Sequence, residues 1–467
     1  MVLSRIWSAF IIVAILVASI KYLVSDNYKA IYNDMVVGKS GDTVQIATKS
    51  SSEISPLIQK NLLAKKDFTE NRIHYKSDSA QSKVNVYRVQ QTDGVIGTSE
   101  TAVKICLGLI GIMTLFMGFM SIAEKAGGIN LLSRMIQPFF SKLFPEIPKN
   151  HPAFGHMLLN FSANLLGLDN AATPFGLKAM ESLQTINPDK DRASNSQIMF
   201  LCLHAGGLTL IPVSIIAIRA SMGSHTPTDI FLPCMIATFA ATLAAMIVVS
   251  LYQKINLLQP VVIAYVGGIS AIIALLVVYL VNLSKEGLDD FSKLLSNGII
   301  LLIFFAIVLG ALYKKINVFD AFIDGAKEGF WTCVKIIPYL VGMLIAISLL
   351  RTSGVFDVLI DGMKWVAQVV GFDTRFVDGL PTALIKPLSG SGARGMMVDT
   401  MQTFGADSFQ GRLAAVLQGS SDTTFYVIAI YFGAVGIKNT RYTVTAMLLA
   451  DLVGIITSVI LAYLFFA

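Results

Sequence analysis

The stretch LQGSSDTTFYVIAIYFGAVG (residues 417–436) places a run of polar residues inside an otherwise apolar segment. Polar groups in an apolar span need hydrogen-bond partners, and an unwound helix that faces a central cavity would supply them. Asp422 is therefore a candidate for binding an ion or a proton. Hydrogen bonds that hold neighbouring helices together are the alternative interpretation of this run. Its polar members are Gln418, Ser420, Ser421, Asp422, Thr423 and Thr424.

A second stretch with this character lies in the first half of the chain. LHAGGLTLIP (residues 203–212) aligns with LQGSSDTTFY (residues 417–426), with leucine at both first positions and Thr209 in register with Thr423. His204 and Thr209 are the polar residues of this stretch. His204 is either an ion- or proton-coupling residue or a histidine that only bonds neighbouring helices.

The segments around these two stretches recur in the same order. Each half has an apolar span (residues 102–123 and 332–350), a glycine turn, an amphipathic segment, a glycine-rich interrupted segment, the polar-punctured span and a closing span. The interrupted segments, residues 151–183 and 376–404, suit re-entrant hairpins whose irregular backbone is buried in protein. This order indicates an internal repeat.

Counting the predicted spans gives the orientation of the two repeats. Each repeat contributes three full spans and one hairpin that does not cross, and two further spans, residues 261–281 and 298–312, separate the repeats. Because three plus two is odd, the second repeat enters from the opposite side of the membrane. The predicted fold is an all-α polytopic membrane protein, an inverted-repeat bundle with two re-entrant hairpins, as in many secondary transporters.

Composition excludes several other classes of protein. The chain has 467 residues, of which 54% are hydrophobic and 14% charged, whereas soluble domains carry about 25% charged residues. About nine stretches approach the roughly 20 apolar residues that a membrane span needs. The net charge of +6 fits cations on cytoplasmic loops, and the absence of clustered Lys and Arg argues against nucleic-acid binding. The four cysteines lie in apolar segments without metal-ligand spacing, so no metal site is expected.

The N-terminal part divides at residue 24. An apolar run at residues 6–24, behind Arg5, predicts a transmembrane anchor at residues 1–24 with a cytoplasmic N-terminus. Residues 25–98 are polar and predict a small extracytoplasmic α+β domain, with strands at 42–48 and 83–89 and a short helix at 55–68. The remaining predicted units are residues 99–253 (first repeat), 254–315 (two linking helices) and 316–467 (second repeat).

The first interrupted segment carries Asp169, Asn170 and Thr173 at the predicted tip and return arm of its hairpin. A hairpin tip exposes backbone groups without helical partners, so solutes or ions can bind there. Asp169 is a candidate for coordinating a coupling ion or proton. The alternative is that Asp169 or Asn170 is the N-cap of the helix that follows.

The second interrupted segment carries a Gly/Ser loop followed by an arginine. Glycines allow close backbone approach to a ligand, and serine hydroxyls with an arginine would hold a phosphate or carboxylate. A flexible turn with a structural arginine is the alternative. The residues concerned are Ser389, Gly390, Ser391, Gly392 and Arg394.

These motifs resemble a known family. NLLGLDNAATPFGLKAM (residues 164–180) with LTLIP (208–212) resembles bacterial spore maturation protein A, and LIKPLSGSGARGMM (384–397) with QGSSDTTFYVIAIYFGAVGI (418–437) resembles spore maturation protein B. Together they cover about residues 100–467, as though the two proteins were fused. The resemblance implies a nucleoside-recognition or gate domain, similar to those of concentrative nucleoside transporters and the membrane part of ferrous iron transporters, and a link to maturation of the spore core. It implies no particular substrate.

The combined prediction is an inner-membrane transporter that moves a small polar or anionic solute by alternating access. No organic cofactor is expected, and the coupling ion is Na⁺ or H⁺. The expected partners are the solute and membrane lipid, with a homo-oligomer also allowed. Ion or proton coupling is assigned to Asp169, Asp422 and His204. Solute binding is assigned to Asn170, Thr173, Thr209, Ser389, Gly390, Ser391, Gly392, Arg394, Gln418, Ser420, Ser421 and Thr423.

Two other functions compete with transport. A non-transporting membrane protein would assist envelope or spore assembly through residues 25–98. A membrane-embedded hydrolase would use Asp169, Ser389, Ser391, Arg394 and His204 on a lipid-linked substrate. Since GxSxG and HExxH signatures are absent from the sequence, no enzymatic activity is expected.

Overall fold

The computed structural model describes residues 2–50, 62, 67–70, 73–78, 83–92, 94–148, 151–165, 169–283 and 285–466. The described chain is mostly helical. Six of its helices are long and apolar enough to cross a membrane, so the protein is a multi-pass membrane protein. The apolar parts of these helices are Trp7–Val24, Gly94–Lys125, Phe231–Gln253, Pro260–Tyr279, Val318–Thr352 and Thr443–Phe466.

The N-terminal part contains two helices and a sheet. The elements are α1 (Val2–Val24), a 3-10 turn (Asp26–Tyr28), α2 (Ile31–Val36), β1 (Lys39–Ser50), β2 (Asp67–Glu70), β3 (Ile73–Asp78) and β4 (Lys83–Thr92). The strands form an antiparallel sheet in the order β1-β4-β3-β2. The predicted strands at 42–48 and 83–89 are confirmed within β1 and β4. Of the predicted helix at 55–68, Leu62 is helical, residues 67–68 begin β2, and the rest lies outside the described residues.

The first half of the bundle contains seven helices. They are α3 (Gly94–Lys125), α4 (Gly128–Leu143), α5 (Pro152–Leu165), α6 (Asp169–Thr185), α7 (Asn195–Ala205), α8 (Val213–Ser221) and α9 (Phe231–Gln253). Two helices follow, α10 (Pro260–Val281) and α11 (Lys285–Tyr313).

The second half repeats the order of the first. Its helices are α12 (Val318–Thr352), α13 (Val355–Val369), α14 (Leu380–Ile385, after a 3-10 turn at Arg375–Gly379), α15 (Gly390–Phe404), α16 (Phe409–Gly419), α17 (Thr424–Ala434) and α18 (Thr443–Phe466). In both halves a long helix precedes an amphipathic helix, a helical hairpin, two short helices and a second long helix. A left-handed glycine joins the first two helices each time, Gly127 (φ 84°) and Gly354 (φ 77°), a conformation that glycine adopts without steric strain.

Two predicted spans are not continuous helices. Residues 196–218 form α7 and α8 with a break at 206–212, and residues 413–435 form α16 and α17 with a break at 420–423. The prediction of an unwound helix at the polar run is therefore confirmed for the second break. The predicted Gly/Ser loop is wrong, because residues 390–395 are the first turns of α15. The Ser389 hydroxyl accepts a hydrogen bond from the Gly392 N–H (2.9 Å), and this N-cap starts the helix despite its glycines.

Corresponding long helices pack antiparallel. In α3 and α12, a Cβ added at Gly325 would lie 2.2 Å from the Met117 carbonyl oxygen, and one at Gly329 would lie 2.7 Å from that of Met113. Glycine is thus required for the two helices to approach so closely. The Lys125 ammonium pairs with Asp324 (2.6 Å) where α3 ends and α12 begins.

The long helices α9 and α18 also run in opposite directions along each other. Gln253, the last residue of α9, donates to the Tyr442 hydroxyl (2.9 Å), immediately before α18. At the other end, the Arg412 guanidinium lies over the ring of Phe466, the last residue of α18 (5.2 Å), and pairs with Asp229 (2.7 Å), two residues before α9. The 23 residues of α9 therefore span the bundle over about 35 Å.

One end of the bundle, called the charged end, joins the α8–α9 loop (222–230) to the α15–α16 loop and the start of α16 (405–412). The fully buried Arg219 guanidinium pairs with Asp229 (2.8 Å) and Asp407 (3.0 Å), and it donates to the Ala406 carbonyl oxygen (2.7 Å). Arg412 completes the network by pairing with Asp229. Two positive and two negative side chains thus close this end.

The Asp407 carboxylate is held ionised by this network. Burial by itself would raise the pKa of Asp407, but hydrogen bonds from Ser224 and the His225 N–H, with the charges of Arg219 and Arg412, hold the pKa below its usual range. The His225 N–H lies 2.8 Å from the carboxylate. Hydrogen bonds and charged partners together thus outweigh the desolvation of this group.

The opposite end, called the backbone end, joins the α6–α7 loop (186–194) to the α17–α18 loop (435–442). The Ala193 N–H donates to the Asn439 carbonyl oxygen (3.0 Å). In return, the N–H groups of Lys438 and Asn439 both donate to the Asp191 carbonyl oxygen. The buried Asn187 amide donates to Gln184, Gln197 and the Arg192 carbonyl oxygen. Neutral groups therefore make most of this contact.

The N-terminal part is attached to the second half. The Trp7 indole donates to the Gly342 carbonyl oxygen (2.9 Å), and the Lys21 ammonium donates to that of Ser353 (2.7 Å) at the end of α12. The two chain segments that enter the sheet meet at its base, because a Cβ added at Gly94 would lie 2.4 Å from the Gly38 nitrogen. The two segments that lead into and out of the sheet are thus in contact at its base.

Candidate functional site

The two helix breaks meet in the middle of the bundle. The Asp422 N–H donates to the Ala205 carbonyl oxygen (2.8 Å), which joins the second break to the end of α7. Gly207 has a φ of 65°, and a Cβ there would lie 3.2 Å from the Asp422 nitrogen. A glycine at this crossing therefore allows the two backbones to come together.

Each hairpin reaches this crossing. In the first hairpin, the Leu165 carbonyl oxygen accepts from the Leu210 N–H of the first break (2.8 Å). In the second, the Pro387 carbonyl oxygen accepts from the Phe425 N–H (2.9 Å). The end of α5, the α14–α15 turn and the two breaks thus converge at one place. This convergence, residues 160–165, 204–210, 387–391 and 418–424, is called the central site.

His204 lies buried in the central site and bonds to the first hairpin. Its Nδ1 lies 3.1 Å from Asn160 Oδ1 and 2.7 Å from Asn164 Nδ2. Its Nε2 lies 3.6 Å from Asp422 Oδ2, and the Tyr431 ring stands edge-on to the imidazole at 4.9 Å between centroids. The imidazole therefore connects both breaks and the first hairpin.

Asn160 and Asn164 are site residues that the sequence interpretation missed. They stand four residues apart on α5, so their side chains share one helix face. The Asn160 amide nitrogen donates to the Ala172 carbonyl oxygen on α6 (2.7 Å), which fixes its oxygen towards His204. This spacing of two amides in an apolar helix is the signal by which they could have been found.

Asp422 is the accessible carboxylate of the site. Its side chain is 43% exposed, whereas that of His204 beside it is 6% exposed. One carboxylate oxygen accepts from the Thr423 N–H (2.7 Å), and carboxylates have further lone pairs to offer. A ligand the size of water can therefore reach Asp422.

The other polar residues of the second break divide into two groups. Ser420 and Thr424 bond within the bundle, to the Leu417 carbonyl oxygen and to Asp451 respectively, as the helix-bonding interpretation expected. Gln418 is buried, with its Nε2 3.5 Å from the Gly390 carbonyl oxygen, and among the described residues its Oε1 has no hydrogen-bond partner. Ser421 and Thr423 are buried beside them. Asp422 and Gln418 thus keep acceptor capacity for a ligand.

The second hairpin presents the start of α15 to the second break. A Cβ added at Gly390 would lie 2.7 Å from Thr423 Oγ1, and the hydroxyls of Ser389 and Ser391 lie 3.3 Å apart. Gly392 is buried, and Arg394 lies partly buried in the next turn of α15. These predicted residues are therefore brought to the central site or to the helix turn beside it.

The first hairpin and first break hold the remaining predicted residues. Asp169 and Asn170 begin α6, but their side chains lie outside the described residues. Thr173 is exposed in the first turns of α6. Thr209 donates to the Gly207 carbonyl oxygen (2.8 Å) and so stabilises the turn of the first break.

The protein is thus a multi-pass membrane protein in which two helical hairpins meet two broken helices. The model of the Gate family, described as nucleoside recognition, matches residues 106–222 and 333–438. Spore maturation protein B of Bacillus subtilis (strain 168) is 45% identical over 172 residues, which cover 37% of this chain and 95% of that protein. Spore maturation protein A of the same organism is 44% identical over 156 residues, covering 33% of this chain and 80% of that protein. No solved structure matches the chain.

The chain therefore belongs to the Gate-domain family that includes spore maturation proteins A and B. The resemblance found in the sequence motifs is confirmed. Both matched segments lie inside the ranges predicted for the two repeats, while the domain boundaries themselves stay predictions.

Proposed function

We propose that the protein is a transporter of the inner membrane that moves a small polar or anionic solute by alternating access. The observation that carries the proposal is the convergence of two hairpins and two broken helices on the accessible carboxylate of Asp422. Broken helices near the midplane form the binding sites of many secondary transporters. An ionisable group within a membrane-spanning segment indicates a functional role by default.

The two halves form an inverted repeat in this proposal. The antiparallel packing of α3 with α12 and of α9 with α18 supports it. The loop pairing supports it as well, because each end joins the loop between hairpin and broken helix in one half to the loop after the broken helix in the other. Exchanging the two halves therefore converts the loop contact of one end into that of the other.

The hairpins are re-entrant and enter from opposite sides. The first opens at the backbone end, where Glu146 accepts from Asn195 (2.6 Å), and the second opens at the charged end, which follows α15. The arms α5 and α15 have 14 and 15 residues, fewer than the about 20 that a crossing needs. Their contacts with the two breaks support ends at mid-depth.

The solute class follows from the helix ends and polar groups at the central site. The helices α8, α15 and α17 begin there, and helix N-termini favour anions. Gln418 and the serine hydroxyls add hydrogen bonds that a polar solute requires. In the proposed orientation the N-terminus is cytoplasmic and residues 25–98 are extracytoplasmic.

The test is the thermal stability of the purified protein with a ligand panel. The panel contains nucleosides, small carboxylates, phosphorylated metabolites and divalent cations, each with and without sodium. A ligand that binds only the folded state raises its unfolding temperature. We expect one class to do so for the wild type and for Asp191→Asn, an exposed carboxylate at the backbone end, and not for Asp422→Asn.

Flux measurements in proteoliposomes complete the test. Uptake of the stabilising ligand should require Asp422, whereas Asp422→Asn should keep the wild-type unfolding temperature without ligand. Unchanged coupled uptake in Asp422→Asn would overturn the role of this residue. The absence of any stabilising ligand would count against transport.

A second function, assistance to envelope or spore assembly through residues 25–98, is favoured by the sheet attached outside the bundle. Because Gly38 and Gly94 are in contact at its base, residues 39–93 can be replaced by a short glycine linker without separating α2 from α3. Transport should survive this replacement, and an assembly role should be lost. Survival of the cellular function without the sheet would exclude the second candidate.

A further inference from the structure

The hydrogen bonds of His204 fix which ring nitrogen carries its proton. Asn160 Nδ2 donates to the Ala172 carbonyl oxygen, so Asn160 presents its oxygen, an acceptor, to His204 Nδ1 at 3.1 Å. This acceptor assigns the hydrogen of neutral His204 to Nδ1. The Asn164 amide lies 2.7 Å from the same nitrogen, and a half-turn that exchanges its nitrogen and oxygen lets it accept from Nδ1–H as well.

This tautomer leaves the Nε2 lone pair of a neutral His204 directed towards Asp422. Nε2 and Asp422 Oδ2 lie 3.6 Å apart, and a lone pair facing a carboxylate is repulsive. A single proton on either atom removes this repulsion, and a proton on Nε2 places opposite charges on the two groups. The pair is thus suited to bind one proton reversibly.

The other charged groups near His204 and Asp422 do not supply the positive charge that this proton brings. Asp451 is bonded to Thr424 and interacts electrostatically with Lys386, so the lysine on this side has a carboxylate partner other than Asp422. The titratable side chains described around the pair are Tyr431 and Tyr426 on α17, Asp451 on α18 and Lys386 at the tip of the second hairpin.

From this geometry we infer that His204 and Asp422 share one exchangeable proton, and that H⁺ rather than Na⁺ is the coupling ion. The description of this proton as a coupling ion rests on the proposed transport function. The proton arrives from water, resides on Nε2 or Oδ2, and leaves to water on the other side of the membrane. No other bond is made or broken.

Metal ions fit this place less well than a proton. Hard cations such as Na⁺ prefer oxygen ligands, whereas one of the two atoms of this contact is an imidazole nitrogen. In the described part of the chain no group of three or more His, Cys, Asp or Glu side chains could hold a metal ion. A proton needs only the two atoms that are present.

The test is ¹⁵N NMR of the full-length protein labelled at histidine, in a membrane-like environment. The chain has five histidines, and His204→Gln identifies the signals of His204. We expect Nδ1 to stay protonated at every pH, with Nε2 alone titrating. Asp422→Asn should weaken proton binding at Nε2 about tenfold or more, because an adjacent opposite charge is lost.

Control measurements distinguish proton binding from the binding of Na⁺ or a divalent cation. His156→Gln, a histidine that contacts Ser182, should leave the His204 titration unchanged. Replacing choline chloride by NaCl at constant ionic strength should not move the His204 signals. A hydrogen on Nε2 of neutral His204, a shift with Na⁺ or a divalent cation, or an unchanged titration in Asp422→Asn would each overturn the inference.

The outcome can be separated from the fate of the transport proposal. His204 and Asp422 can share a proton in a protein that moves no solute, in which case the ligand panel fails while the titration persists. Conversely, solute flux through a protein whose His204 does not titrate would support the transport proposal and overturn the proton inference.

Discussion

The charged end and the backbone end join corresponding loops of the two halves with different chemistry. At the charged end, Arg219 and Arg412 pair with Asp229 and Asp407 across the halves. At the backbone end, the same kinds of loop are joined by main-chain hydrogen bonds to Asn439 and Asp191, and the ion pair there, Lys438 with Asp191, is exposed. The two ends thus share the same kind of loop contact but not the kind of residues that make it.

The difference matters because buried charges tolerate loss of a partner poorly. Removing one member of a buried ion pair destabilises a protein by about 3–5 kcal/mol, since an uncompensated charge remains. A neutral hydrogen bond contributes about 1 kcal/mol net. The stability of the charged end therefore depends more strongly on each of its side chains than that of the backbone end does.

In the proposed transport cycle, this asymmetry favours a state in which the charged end is closed. Opening the charged end requires water to solvate four ionised side chains together, while opening the backbone end exposes peptide groups and amides. The structure has both ends joined, with the central site between them. In the proposed cycle the central site opens first at the backbone end.

Arg219→Met should have the largest effect on this comparison. It leaves Asp229 and Asp407 buried with fewer partners, so we expect a loss of about 3–5 kcal/mol in unfolding free energy. Unfolding in denaturant or by heat measures the change. The matched control is Arg441→Met at the backbone end, where the arginine bonds to Asn195 at the surface and the expected loss is below about 1 kcal/mol. Equal losses would show that the ends do not differ in energy.

Asn187→Ala should have an intermediate effect at the backbone end. The Asn187 amide is 3% exposed and donates to three oxygens, two of them on Gln184 and Gln197. Truncation leaves these buried acceptors with fewer donors, which destabilises the protein by about 1–3 kcal/mol. The same unfolding assay applies, with Lys438→Ala as the exposed control. A loss as large as that of Arg219→Met would contradict the ranking of the two ends.

The sequence predicted the elements of the central site better than their connections. The polar run around Asp422 and its counterpart at His204 stand out locally, because polar residues interrupt apolar spans. The network of Arg219, Asp229 and Asp407 escaped prediction, since Asp407 belongs to the other half and no local pattern relates it to the first two residues. The start of α15 was predicted as a loop because glycine disfavours helices, but the Ser389 cap and burial in the bundle outweigh that preference.

The pH dependence of the charged end should give the smallest effect. Because the pKa of Asp407 is lowered in the folded protein, its contribution to stability is present above the unfolded value, about 3.9, and is lost as the pH falls through the folded value. The effect is limited because the side chain is 25% exposed and its desolvation opposes its partners.

Unfolding temperatures measured from pH 7 to pH 3 for the wild type and Asp407→Asn test this expectation. The wild type should lose its advantage over Asp407→Asn in the acid range, since only the carboxylate can be neutralised there. Asp191→Asn, the exposed carboxylate of the backbone end, should follow the wild-type curve. Parallel curves for the wild type and Asp407→Asn would mean that the ionised state of Asp407 does not hold the charged end closed.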